Sequence, residues 1–158
     1  SAQLTDSKLL QRDYWEAFAN YLNDNSSILK PTKPFPQHWM NFAVGKSGMH
    51  IAAIASYLNS ETNSWDEGEI RAEFILSSLS SKSHYNQFYE KKDEIEEIIG
   101  EPCAWINRDN VKSCKIYLRK TAHIKDKSDW ENQHEWIMNK LESMKKAFSP
   151  HFSSLVDG

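Results

Sequence analysis

The sequence predicts an α+β fold: a single two-layer domain, a mainly antiparallel five-stranded sheet with three helices in the order α-β-β-β-α-β-β-α. Three observations carry this expectation. Apolar residues recur at helical spacing near both ends of the chain and once in its middle. Five short apolar or alternating runs lie between them, separated by turn residues. Consecutive runs are joined by short polar links, which favours antiparallel pairing over crossovers. A length of 158 residues suits one domain spanning 1–158, with 1–4 expected as a tag remnant or loose start and 153–158 as a frayed end.

The first helix is expected over residues 5–23. Leu10, Tyr14, Phe18 and Leu22 recur every four positions, and Thr5 or Asp6 can cap the start. Pro31, Pro34 and Pro36 then impose an extended connector. Trp39 to Val44 and Met49 to Ser56 flank Gly45-Lys46-Ser47-Gly48, the pattern of a hairpin whose second strand is apolar on nearly both faces. After a polar loop, Glu69 to Ser77 alternates as a half-exposed strand, with Ile70, Ala72, Phe74 and Leu76 on one side and Glu69, Arg71 and Glu73 on the other. A second helix opens at Ser81 or Ser83 and stops at Gly100-Glu101-Pro102. Cys103 to Asn107 and Lys112 to Thr121 form a second hairpin. Ser128-Asp129-Trp130-Glu131 fits a capping box for a third helix, whose stripe runs His134, Ile137, Leu141, Met144 and Phe148 before Pro150 ends it. Helices on one sheet face would bury Ile51, Phe74 and Ile116.

The net charge of −3 excludes a chain that binds polyanions by bulk charge alone. The distribution is uneven: residues 93–101 carry five acids and no base, whereas 112–127 carry six bases against one acid. Such a basic segment either contacts phosphate or is a solvated strand edge. No apolar run is long enough to span a bilayer, so no membrane partner is expected. Two cysteines without a CxxC exclude a zinc ribbon and read as small core residues in a reducing cytoplasm; a disulfide across the hairpin stays open.

Several motifs fail on their own chemistry. Gly45-Lys46-Ser47 lacks the earlier glycine of a phosphate loop, since position 40 is Met, and it precedes a strand. His134-Glu135 is followed by Met at 138, so the zinc-helix spacing is broken and His134 reads as a packed, hydrogen-bonded core residue. Glu90-Lys91-Lys92 has the letters of a nuclease Glu-x-Lys but falls in a helix. No cofactor or metal is called for. Trp39, Trp130 and Trp136 near element ends read as core.

One constellation remains as a candidate site. Lys46 at the turn, His50 and Arg71 on strands, and Lys115, Tyr117 and Arg119 on the last strand would form a basic, aromatic-bearing face suited to nucleic acid, if all share one side of the sheet. Changing Lys115 and Arg119 together to Glu is then expected to abolish nucleic-acid retention without unfolding. Two other classes compete. A protein-interaction domain would use Trp65 in its polar loop, and a divergent Mg²⁺-dependent nuclease would use Asp66, Glu69 and Glu73.

Arg12-Asp13-Tyr14-Trp15, Pro36-Gln37-His38-Trp39-Met40-Asn41-Phe42 leading to Gly45-Lys46-Ser47-Gly48, and Gln133-His134-Glu135-Trp136 resemble the domain-of-unknown-function family 4268. The spacing of Tyr85, Phe88, Glu94 and Ile95 also fits. The resemblance implies an accessory module that often follows a PD-(D/E)xK-type nuclease domain, hence a nuclease or another protein as partner in DNA processing or defence. It carries over no catalytic residues.

Overall fold

The structure is a computed structural model that describes residues 4–158. The elements are α1 (Asp6–Asn25), β1 (Trp39–Ala43), β2 (Met49–Ser56), β3 (Glu69–Leu76), α2 (Ser81–Tyr89), α3 (Lys92–Ile99), β4 (Ala104–Ile106), β5 (Cys114–Lys120) and α4 (Trp130–Phe148). Short 3₁₀ turns, Lys127–Asp129 and Ser149–Ser154, flank α4. The sheet order is β1-β2-β3-β5-β4 and every pairing is antiparallel.

The α+β class and the five-stranded antiparallel sheet match the sequence expectation. The helix count does not: the second predicted helix is two, and the order is α-β-β-β-α-α-β-β-α. The break falls where the apolar stripe lapses. Five charged residues, Glu90 to Glu94, separate Phe88 and Tyr89 from Ile95. Lys91 N–H bonds back to the Phe88 carbonyl at 2.8 Å, a tightened last turn, and the chain restarts in a new direction that buries Ile95 and Ile99. Gly100 ends α3 in the left-handed region, as its residue type predicts.

Thr5 caps α1, its Oγ1 accepting from Lys8 N–H. The capping box at Ser128 does not form. The Ser128 hydroxyl donates to the nearer charged acceptor, Asp126 Oδ1, at 2.6 Å, and α4 starts without a side-chain cap. The start of the chain, residues 1–3, lies outside the described residues. At the other end of the sequence, Gln87 hydrogen-bonds Val156 and His84 Nε2 lies 2.9 Å from Asp157 Oδ1.

Register determines which side chains share a face. Ile51 pairs with Phe74 and Phe74 with Ile116, so these three fully buried residues line one row. Helices pack on that face. Phe74 stacks on Phe148 of α4 at 4.1 Å and meets Phe88 of α2 edge-on, while Phe42 meets Phe18 of α1. Each such side chain contributes about 1.5–3 kcal/mol on burial. The hairpin between β1 and β2 turns through Gly45 and Gly48, both at positive φ; a Cβ on Gly48 would lie 2.6 Å from Ser78 Cβ. The β1 edge is blunted by side chains, with Gln37 Nε2 donating to the Trp39 carbonyl and Thr32 Oγ1 to that of Asn41.

Candidate binding face on the sheet

Side chains alternate across a strand, so the face opposite the helices carries the other set. Its rows follow from register: Trp39, Ile54, Arg71 and Arg119; then Asn41, Ala52, Glu73, Tyr117 and Ala104; then Ala43, His50, Ile75, Lys115 and Ile106. Five of the six sequence-predicted residues therefore project to one side. Lys46 sits in the turn at the His50 and Lys115 end of the sheet. Among the described residues, the aromatic contacts between helices and sheet all fall on the opposite face.

The two ends of this face differ in charge. At one end the arginines are committed to carboxylates. Arg71 Nη1 donates to Glu69 at 2.5 Å and its Nε to Glu73 at 2.8 Å. Arg119 Nη2 donates to Glu69 and to Asn59 Oδ1, each at 3.1 Å, and its Nη1 lies 2.9 Å from Glu61. Glu69 is wholly buried and Glu73 nearly so. Burial pushes the Glu69 carboxyl up. Hydrogen bonds from the Ser60 N–H and hydroxyl, Arg71 and Arg119 outweigh it and hold the group at about 2. The expected half-exposed strand is thus buried on its polar side as well, because its acids lie beneath the guanidinium groups. Arg119 is a framework residue, and its replacement by Glu would set a third carboxylate against Glu69. Changing Arg119 to Glu is therefore expected to destabilise the fold as well as alter the face.

At the other end the groups are freer. Lys115 is 37% exposed and only 3.6 Å from Glu73 at its nearest. Its ammonium lies 5.5 Å from the Tyr117 ring centre, and Arg71 approaches the same ring to 5.8 Å. Burial holds His50 below its usual range, with Glu73 opposing. Lys46 has no ion pair among the described residues.

The loop between β2 and β3 is braced by Asn59, fully buried. Its Nδ2 donates to the Gly68 carbonyl and Thr121 Oγ1, and its Oδ1 accepts from the N–H groups of Glu61 and Thr62. Trp65 projects from that loop, 67% exposed. Sequence reasoning missed Asn59 and Glu61. The alternation Glu69-x-Arg71-x-Glu73 was the readable sign that Arg71 would be neutralised on its own strand.

Arg71 occupies the space between Glu69 and Glu73 that a divalent ion would need, and no cluster of three metal-ligating side chains forms among the described residues. Cys103 and Cys114 are free, so the disulfide left open by the sequence does not form. Burial, then Glu96 and Glu101, pushes the Cys103 thiol to about 12, and burial raises Cys114; neither is an activated nucleophile. His134 is packed against Tyr14 and Phe18 as expected, but its buried Nε2 has no hydrogen-bond partner. Trp39, Trp130 and Trp136 are half-buried rather than core.

A family profile described as Domain of unknown function (DUF4268) matches residues 10–152. No curated protein and no solved structure matches the chain. No described helix is long and apolar enough to cross a membrane.

Proposed function

The chain belongs to the DUF4268 family, a domain of unknown function, and on that premise we propose that it is a binding module whose helix-free sheet face takes single-stranded nucleic acid. The observation that supports this reading most is the Tyr117 ring beside Lys115, in a row next to His50 and with Lys46 at the same end of the sheet. A ring on the face of a strand stacks a base while neighbouring cations meet phosphates. Arg71 and Arg119 serve a different purpose: paired with Glu61, Glu69 and Glu73, they stiffen the platform. Attraction to the backbone then rests on two lysines, which corresponds to a salt slope of about −1.4 for a single strand. A nuclease or another DNA-processing protein in the cytoplasm is the partner such a module would serve.

Fluorescence anisotropy with a labelled single-stranded oligonucleotide, from about 50 mM to about 200 mM salt, tests this. Lys46→Glu combined with Lys115→Gln should weaken binding about tenfold while the far-UV spectrum and melting stay unchanged. Tyr117→Ala should cost about 1–3 kcal/mol for the lost stack. Absence of salt-sensitive binding by the parent protein at low ionic strength would overturn the proposal.

Protein docking is the second reading, favoured by Trp65 standing exposed on a braced loop. A rigid aromatic anchor is the kind of residue that dominates interfaces. A Mg²⁺-dependent nuclease at Asp66, Glu69 and Glu73 would require Arg71 to leave its carboxylates, so Mg²⁺ and Mn²⁺ titration is expected to yield no cleavage.

A further inference from the structure

The last residues of the chain lie across α2, held by side chains instead of a strand. The Gln87 amide bonds both ways with one residue: Nε2 donates to the Val156 carbonyl at 2.6 Å, and Oε1 accepts the Val156 N–H at 2.9 Å. This reproduces what a neighbouring strand would offer. Gln87 Nε2 also donates to Ser83 Oγ at 3.1 Å, which sets the amide's orientation. One residue further, Asp157 Oδ1 lies 2.9 Å from His84 Nε2. His84 is 3% exposed and its Nδ1 is buried without a partner, whereas the Asp157 side chain is 81% exposed. The Val156 side chain is itself 69% exposed, so the contact reads main chain rather than an apolar group.

A recessed imidazole whose polar partner is a carboxylate from an exposed segment is a receptor geometry. Leu155 packs against the core and brings the segment to this place, and an unfilled recess would leave the polar atoms of His84 and Gln87 unsatisfied. We propose that Ser83, His84 and Gln87 form a slot for an extended acidic peptide segment, read as one main-chain unit followed by a carboxylate, which residues 155–157 fill in cis. Main-chain bonds supply affinity in this mode and the flanking carboxylate supplies selectivity. A competing segment must displace a tethered occupant whose effective concentration is about millimolar.

Val156→Pro in the full chain weakens the hold on residues 155–157 without altering the slot, since it removes one of the bonds that Gln87 and His84 make to them. Proline removes the N–H that Gln87 accepts, and Leu155, at φ −68° and ψ 137°, already has the backbone a residue before proline needs. The probe is the hexapeptide of residues 153–158, followed by NMR shifts of the protein. The variant should show saturable shifts at Ser83, His84 and Gln87, with binding about tenfold tighter than to the parent, where the tail competes. The same peptide carrying Asp157→Asn should bind the variant about tenfold more weakly. In the parent, the Val156 amide should be protected from exchange, and Gln87→Ala should remove that protection. Equal peptide binding to both proteins, absence of shifts at the three residues, or an unprotected Val156 amide would overturn the proposal.

Discussion

Replacing Arg71 by Met decides whether that guanidinium serves the fold or a ligand. Arg71 bridges two carboxylates whose side chains are 0% and 5% exposed. Without it, Glu69 keeps Ser60 and Arg119, but among the described residues Glu73 keeps only Lys115, at 3.6 Å, as an ion-pair partner. Removing one partner of a buried pair costs about 3–5 kcal/mol, and the orphaned Glu73 places this case within that range. With a urea m value of about 2 kcal/mol/M, the midpoint should fall by about 2 M. Urea unfolding followed by tryptophan fluorescence measures it. Adding Glu69→Gln and Glu73→Gln to Arg71→Met should recover most of the loss, since the uncompensated charges are then gone. If Arg71→Met alone stays within about 1 kcal/mol of the parent, below the range for broken buried pairs, the arginine is not a framework residue. The division of the sheet face into a structural end and a binding end then fails.

The remaining predictions concern pH, the turn and the free end of the face. Burial lowers His134 to about 4, so the unfolded chain binds more protons between pH 6.5 and 4. Stability should be full above about pH 6.5 and fall by about 3 kcal/mol towards pH 4, and His134→Leu should flatten that slope in melts across the window. Glu69 acts lower, its contribution fading as pH falls from 4.5 through about 2. Gly48→Ala should destabilise by about 1–3 kcal/mol, more than Gly45→Ala, because both sit at positive φ but only Gly48 meets Ser78; thermal melts compare them.

Much of this architecture was legible because its signals are local. The hairpin glycines, the alternation of β3, the Thr5 cap and the Gly100 stop each act within a few residues. The break between α2 and α3 was harder to read, because the apolar spacing from Phe88 to Ile95 is itself helical and the lapse shows only as a run of charge. The shared sheet face followed from strand parity, which fixes side without distance. Charge pairing across β3 and β5 did not follow, since Arg119 meets Glu69 only through register, and Asn59 and Glu61 reach it from a loop. The missing Ser128 cap has a similar cause: Asp126, two residues back, is a competing acceptor that a four-letter motif ignores.

Backbone amide shift mapping with a short single-stranded oligonucleotide at low ionic strength tests the binding face most directly. Perturbations should cluster at Lys46, His50, Lys115 and Tyr117, leave Arg71 and Arg119 largely unchanged, and fade as salt is added. Shifts confined to the helical side, or none at all, would contradict the assignment of that sheet surface to nucleic acid.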